Sequence, residues 1–533
     1  SARDYREQEQ RRLSARLSPA MEAETAPERT YDDAMFRDTF EHEYTWLNGF
    51  YRNVRRYAKK TAMIDPATGR SWNYTELNHE ANRLAHALAA DGVGKNDVVM
   101  VSLLNCPEFA FAYIAPRKLG AIVNPCNFNL SAGETALLID HNRPKVFIYS
   151  ADIAPMAAQA VELAHHKPTS VVMADNLKGI PLPDGHISYE RYVLDQLITD
   201  PKMKVRPHIY DEVIRLCTSG TTDTSRVFVY SAEAVCSQVL NAEMLYRANR
   251  RIICDEPRRQ LAFLPFHHVF GFMVCLQWIH FLGYETVYLH DRSPKCIQDT
   301  ARRFKITHLM AVPLLANNLS VALGKKVAKE TAFKRAVFKT MRGFSLALQS
   351  VAPGFGLDFA RNVLFKSVTA QMLGSDVRCI ILGGSHTPKE HMRTLSALGY
   401  FTVSGFGMTE TGITSVETNM NVITRTSGSV GRPLSSAEYR VQSDGEKSNR
   451  GEMYIRGNTI HTGRLVDGQL LPPSLDDEGW FRTGDVVRLE KGSRMYVEGR
   501  AKDVIINESG ENVYPDEIED AFGALEGVEQ FCV

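Results

Sequence analysis

Between Thr61 and Thr418, short apolar runs rich in β-branched residues alternate with stretches whose apolar residues recur every three or four positions. That alternation is the pattern of an α/β chain with largely parallel sheets. VVMVSL (98–103), AIVNPC (121–126), KVFIYS (145–150) and SVVMAD (170–175) are predicted strands. Between the first strands, Leu77, Ala81, Leu84, Ala85 and Leu88 form one apolar helical face, and Pro107 is placed to open a second helix. A further strand series follows in QLAFLPF (260–266), ETVYLH (285–290), THLMAVP (307–313), VRCIILGG (377–384) and FTVSGFG (401–407), which predicts two sheets. The most apolar segment, Val269 to Tyr284, is broken by Gln277 and His280 and is shorter than the ~20 residues of a membrane span, so it is expected to be a buried helix. Beyond Thr418 the pattern becomes Gly-punctuated β, with GEMYIRG (451–457) and the hairpin-like VVRLEKGSRMYVEGR (486–500), and predicts an antiparallel subdomain.

Composition narrows the function. The 533 residues carry 62 Lys plus Arg against 62 Asp plus Glu, so no basic excess is available for a phosphate backbone and nucleic acid is not an expected partner. Nine cysteines stand far apart with no CxxC pair, which suits neither a zinc knuckle nor a disulfide framework and fits a reducing compartment. The first residues, SARDYREQEQRRLSARLSPAMEAE, are charged and lack the apolar core of a secretory signal; the expected location is cytoplasmic. Ser320 to Ser345 is helix-forming with seven Lys/Arg against one Glu, which leaves two readings: a solvated helix face, or a peripheral contact with a membrane or another anionic partner.

The strand Val213 to Cys217 runs into TSGTTDTS (218–225) and then Arg226, a loop able to offer backbone N–H groups, hydroxyls and a cation to a polyphosphate. Three more segments follow in order: GGS (383–385), GFGMTETG (405–412), and WFRTGD (480–485) leading to EGRAKD (498–503). Together they resemble the adenylate-forming superfamily of acyl-CoA synthetases, luciferases and nonribosomal adenylation domains, over a span from YTELNHEANRLAHAL (74–88) to SGENVYPDEIE (509–519).

The resemblance implies ATP-dependent activation of a carboxylic acid to an acyl-adenylate and its transfer to a phosphopantetheine thiol, on CoA or on a carrier protein. It implies that Thr218, Ser219, Gly220, Thr221 and Thr222 hold the β and γ phosphates with Arg226 as the loop's cation. Thr409 would bond the α-phosphate, and Glu410 would bind Mg²⁺, a hard ion suited to a carboxylate. Gly383, Gly384 and Ser385 would line the adenine, with Phe406, Gly407 and Met408 on the neighbouring strand and Phe406 stacked on the base. Asp485 would accept both ribose hydroxyls and Arg500 would contact the ribose side. Each also has a plainer structural reading, a core role for Phe406 foremost.

The loop departs from the family pattern Thr-Thr-Gly-x-Pro-Lys-Gly: Asp223, Thr224, Ser225, Arg226 and Val227 follow Thr222, and two glycines are missing. The Asp223 carboxylate would repel a triphosphate and the lost glycines restrict close approach, so either the nucleotide site is weakened or the loop's sequence is incomplete.

In FLPFHHVFGF (263–272), His268 matches the family's gate histidine beside the carboxylate and acyl pocket. His267 and His268 stand where amino-acid-activating members carry an Asp, and a buried ammonium lacking a carboxylate is costly, so amino acids are disfavoured. The stretch from Val312 to Cys379 is similar to an insertion in long-chain fatty acyl-CoA synthetases, for which Phe270, Phe272, Met273, Val274 and Trp278 would line an acyl tunnel.

Lys502 matches the family's hinge, dividing the chain into residues 1–501 and the start of a swinging C-terminal domain at 502–533; the domain's catalytic lysine has no match. The fold expected is α/β: a large N-terminal domain of two parallel-rich sheets with an antiparallel β subdomain, followed by the start of a small α+β domain. The competing class is a non-catalytic relative that binds acyl or nucleotide ligands.

Overall fold

The computed structural model describes residues 46–202, 208, 210–218, 226–249, 252, 256–443, 449–466, 468–490, 494–503, 505–506 and 512–513. In chain order the main strands are β1 (Thr61–Asp65), β2 (Arg70–Asn73), β3 (Val98–Ser102), β4 (Ile122–Pro125), β5 (Val146–Ser150), β6 (Ser170–Ala174), β7 (Ile187–Ser188), β8 (Glu212–Thr218), β9 (Arg226–Ser231), β10 (Arg259–Ala262) and β11 (Glu285–Tyr288). They continue as β12 (His308–Ala311), β13 (Cys379–Leu382), β14 (Phe401–Met408), β15 (Gly412–Val416), β16 (Arg432–Pro433), β17 (Ala437–Ser443), β18 (Arg450–Gly457), β19 (Gly463–Val466), β20 (Gln469–Leu471), β21 (Phe481–Glu490) and β22 (Arg494–Arg500).

Two nine-stranded sheets form the body, in the orders β16-β15-β14-β13-β12-β10-β11-β1-β2 and β20-β19-β9-β8-β4-β3-β5-β6-β7. Their central pairs are parallel and their ends antiparallel, except that the β6–β7 end of the second sheet is also parallel. A third sheet, β17-β18-β21-β22, is antiparallel throughout, as the Gly-punctuated pattern predicts.

One apolar cluster joins the two large sheets, with Val99, Val123 and Ile148 from one and Leu261, Val287 and Leu309 from the other. Helix Pro107–Lys118, opened by Pro107 and buried at every position but Glu108, contacts both β1 and β3. A helix apolar all round needs such a two-sided setting. Helix Tyr74–Ala90 carries the predicted apolar face and starts through a capping box in which Asn73 Oδ1 accepts from Glu76 N–H and Glu76 Oε2 accepts from Asn73 N–H, each at 2.8 Å.

The apolar run around 269–284 is buried, but Gly271–Trp278 is π-helical and only Ile279–Leu282 continues as α-helix. Its polar residues are partly satisfied: Gln277 Nε2 donates to Tyr113 Oη at 2.5 Å and His280 Nδ1 lies 2.8 Å from Leu276 O, while Gln277 Oε1, Trp278 Nε1 and His280 Nε2 are buried with no partner among the described residues. Phe272, Met273, Val274 and Trp278 are sealed in the main cluster, whereas Phe270 keeps part of its surface. The seven cysteines among the described residues are free thiols. No helix among the described residues is long and apolar enough to cross a membrane.

Candidate active site

Strand β14 changes partner halfway along. Residues 401–404 pair in parallel with β13, and Gly405 to Met408 pair antiparallel with β15. The change ends the β13–β14 pairing at Leu382 and Ser404, so the chain past the carboxyl end of β13 has no partner on β14, and the carboxyl ends of parallel strands are where open α/β sheets bind ligands. Gly383, Gly384 and Ser385 leave β13 at this point, Gly383 buried and the other two exposed. Gly383 N–H donates to Ala311 O at 3.1 Å, and Gly384 turns the chain at φ +99°. A Cβ on Gly383 would stand 3.2 Å from the Phe270 ring, so glycine is what lets the His268 segment close against the GGS turn.

The turn carrying Thr409 and Glu410 is held by its backbone. Tyr230 of β9, fully buried, donates its hydroxyl to Thr409 O. His461 N–H donates to Glu410 O at 2.9 Å, with the His461 Nδ1 atom also 2.9 Å from that oxygen. Burial, with Arg464 adding to it, pulls the His461 imidazole down to about 4, so the ring is neutral near pH 7. Gly412 closes the turn at φ +67° against Gln238, whose Oε1 accepts from Ile413 N–H at 3.0 Å. Among the described residues no hydrogen bond engages the side chain of Thr409 or Glu410; both are half-buried and available to a ligand.

Asp485 and Arg500 face each other across β21 and β22. Arg500 Nε donates to Asp485 Oδ1 at 2.9 Å, and Asp485 N–H donates to Thr483 Oγ1 at 3.1 Å. Burial pushes the Asp485 carboxyl up to about 6; Arg500 opposes the rise, and the negative charges of Glu410 and Glu452 add to it. Glu410 and Asp485 thus share one electrostatic neighbourhood although 75 positions separate them. Like-charge repulsion of this kind is what a bound divalent cation would relieve, and a carboxylate is a hard donor for one.

Phe406 is half-buried and packs on the cluster of Met453, Ile455, Val487 and Met495 in the third sheet, so it serves a core while keeping part of its ring open. Gly407 meets Gly412 and Ile413 too closely to admit a side chain: a Cβ would lie 2.7 Å from Gly412 O. Met408 pairs with Gly412 in the β14–β15 hairpin and is half-buried.

On the other wall His267 is buried edge-on to Phe128, with ring centroids 5.4 Å apart, and the Arg292 guanidinium lies over the same Phe128 ring, 5.4 Å from its centroid. Burial, His268 and Arg292 together hold His267 down to about 3. His268 has an accessible ring edge, yet its enclosing walls and Arg292 also hold it below the ordinary imidazole value.

Thr218 ends β8, and its register partner is Arg226 at the start of β9. Ser219, Gly220, Thr221 and Thr222, together with Asp223, lie outside the described residues, as does the Arg226 side chain. Lys502 sits exposed in the 3₁₀ turn Ala501–Asp503, two residues past Arg500. Tyr230, His461 and Gln238 escape a reading of motifs, because each acts on the backbone of a remote segment.

The AMP-binding enzyme family matches residues 50–463. Over 478 residues the chain is 26% identical to the long-chain-fatty-acid–CoA ligase FadD13 of Mycobacterium tuberculosis, covering 89% of this chain and 82% of that protein. It is 25% identical over 482 residues to 4-coumarate–CoA ligase 3 of Oryza sativa, covering 88% of this chain and 76% of the relative. Among solved structures, the anthranilate CoA ligase AuaEII in complex with anthranoyl-AMP superposes with a TM-score of 0.71 at 19% identity, over 92% of this chain and 83% of that one.

Proposed function

The chain belongs to the AMP-binding enzyme family, and from that premise we propose that it is an acid–thiol ligase which uses ATP to activate a medium- or long-chain carboxylic acid and passes the acyl group to the phosphopantetheine thiol of CoA. The observation that carries the reading is the convergence of Thr409, Glu410 and the Asp485–Arg500 pair on one crevice, with the Gly383–Ser385 turn beside it.

In the first half-reaction a carboxylate oxygen attacks the α-phosphorus of ATP, forming the acyl–phosphate bond as the bond to pyrophosphate breaks. Thr409 holds the α-phosphate by a hydroxyl whose backbone is fixed through Tyr230. Asp485, ionised, accepts from the ribose hydroxyls while Arg500 keeps its carboxylate aimed across the strands. Phe406 and the Gly383–Ser385 turn bracket the adenine. Thr218, Ser219, Gly220, Thr221, Thr222 and Arg226 take the outer phosphates. Glu410 and the neighbouring hydroxyls would hold Mg²⁺, which supplies charge neutralisation for the phosphates.

In the second half-reaction the thiol gives up its proton to solvent, its sulfur attacks the acyl carbon, and the thioester forms as AMP leaves with the electron pair of the broken acyl–oxygen bond. His268, beside Phe270 at the Gly383 turn, guards the acyl side, and its lowered basicity keeps it neutral there. Lys502, in its exposed turn, is the proposed hinge between residues 1–501 and 502–533. A carrier protein is the alternative thiol donor.

A fatty acid is supported by the FadD13 match together with the apolar ring of Phe270, and an aromatic acid, the alternative, by the 4-coumarate–CoA ligase match of similar identity. The deciding assay is acid-dependent exchange of labelled pyrophosphate into ATP over a panel from acetate to palmitate, with amino acids and 4-coumarate included. Exchange that rises toward acids of eight or more carbons supports the reading, since each buried methylene contributes about 0.8 kcal/mol. A preference for 4-coumarate replaces the fatty acid with an aromatic one. No exchange with any acid favours the non-catalytic relative.

A further inference from the structure

Three segments bring unlike metal-binding side chains together past the carboxyl ends of their strands, none of them among the residues assigned to ATP or the acid. Cys106 and Glu108 follow β3, at the start of helix Pro107–Lys118; Asp175 follows β6, and His290 follows β11. One atom each of Cys106, Glu108 and Asp175 lies within 4.8 Å of the others, and His290 Nδ1 stands 3.8 Å from Asp175 Oδ2. Tetrahedral ligands on bonds of about 2.0–2.3 Å sit roughly 3.3–3.8 Å apart, so small side-chain rotations complete such a shell. These groups are short of partners. The Asp175 side chain is 7% exposed and makes no hydrogen bond among the described residues, and its one ion-pair contact there, His290, is too distant for a hydrogen bond. His290 Nε2 is buried with no partner among the described residues. Cys106 is fully buried, and Glu108, half-buried, forms no ion pair among the described residues.

The neighbouring acids differ: Asp65 accepts from Ala67 N–H and from the Thr68 hydroxyl, and Asp152 pairs with Lys178 at 2.8 Å. Burial, with the charges of Glu108, Asp65 and Asp152 adding to it, pushes the Asp175 carboxyl up to about 8; a cation among these groups would offset that repulsion. We infer that Cys106, Glu108, Asp175 and His290 form a binding site for a divalent transition metal, zinc foremost. A thiolate and an imidazole beside two carboxylates select a borderline-soft cation over Mg²⁺ or Ca²⁺. β3 and β6 belong to one large sheet and β11 to the other, so the ion would clip the two sheets together, a structural role. The His290 side chain, 22% exposed, gives the ion a way in from solvent. This inference stands on the side-chain cluster alone and is independent of the proposed reaction.

The test strips the full chain with a chelator and titrates it with Co²⁺ alone, without nucleotide. Co²⁺ should give a thiolate-to-cobalt charge-transfer band in the near ultraviolet and the visible bands of a tetrahedral ion; Zn²⁺ should displace it and raise the melting temperature, and Mg²⁺ should do neither. Cys106→Ser should abolish the charge-transfer band. Asp175→Asn should weaken Co²⁺ binding at least about tenfold, since outer-sphere partners alone are worth about 10–100-fold, and should remove the Zn²⁺ effect on melting. Asp175 sits at φ +55°, a left-handed backbone that asparagine tolerates, so circular dichroism of that variant should match the wild type. A wild-type chain with no thiolate band overturns the inference and leaves the buried carboxyls to share protons instead. A band that survives Cys106→Ser overturns it by placing the ion on another cysteine, and undiminished affinity in Asp175→Asn does so by removing that carboxylate from the shell.

Discussion

Arg500 Nε donates to Asp485 Oδ1 at 2.9 Å, yet the Asp485 carboxyl still lies near 6, because burial and the neighbouring Glu410 and Glu452 charges outweigh the guanidinium. A carboxylate with a raised folded-state value binds its proton over a pH range where the unfolded chain has lost it. Its contribution to stability is therefore full below about 4 and lost as pH rises through about 6. Asp485→Asn should melt higher than wild type at pH 8, with the difference shrinking toward pH 4.

The same titration controls ligand binding, since an ionised Asp485 accepts from ribose hydroxyls better than a protonated one. Adenosine, which carries no phosphate to titrate, should bind about tenfold more tightly at pH 7 than at pH 5, with a midpoint near 6. In Asp485→Asn the profile should be flat. A flat wild-type profile in calorimetric titrations would remove Asp485 from the ribose site.

Glu410→Gln separates metal binding from this electrostatic role. Removing one negative charge should move the midpoint of adenosine binding to lower pH without any metal present, because Glu410 helps hold Asp485 up. The Mg²⁺ concentration for half-maximal pyrophosphate exchange should rise at least about tenfold, since an amide is a weaker ligand for a hard cation. An unmoved midpoint would place the two carboxylates in separate environments.

Tyr230→Phe strips the donor from Thr409 O while leaving the ring in its buried slot. An orphaned buried carbonyl costs about 1–3 kcal/mol, which urea unfolding should report. Because Thr409 loses its backbone anchor, kcat of the exchange reaction should fall more than the affinity for adenosine. Loss of stability with kcat intact would make Tyr230 a purely structural residue.

These anchors explain what sequence can and cannot reveal here. The buried parallel strands between Val98 and Ser404 were legible as short β-branched runs with sharp Gly and Pro borders, whereas the short β7 and the antiparallel β9 were not read. The pairing of β9 with β19 was not, since Val229 and Gly463 lie 234 positions apart and neither carries a local signal for the other. Gly271–Trp278 reads as an ordinary helix, and its π-turns answer to the enclosing packing rather than to propensity. Asp485, Arg500 and Glu410 stood out through motifs that resemble a known family, while Tyr230 and His461 did not: their targets are carbonyl oxygens 179 and 51 residues away, which any residue could supply.

Two glycines of the site carry different loads, and a paired substitution tells them apart. At Gly383 the new methyl of Ala would stand 3.2 Å from the rim of Phe270, a half-buried ring able to shift by tenths of an ångström. At Gly412 it would stand 2.3 Å from Gln238 Nε2, with φ at +67°, so steric clash and left-handed strain coincide. Gly412→Ala should therefore destabilise by more than about 1 kcal/mol and Gly383→Ala by less. Adding Gln238→Ala removes the clash but also the acceptor for Ile413 N–H, and leaves φ unchanged. The double variant should recover only part of the loss in urea unfolding, and pyrophosphate exchange should stay depressed because the Thr409–Glu410 turn is still displaced. Full recovery would show that the side-chain clash alone requires glycine there; no recovery would show that the backbone angle does.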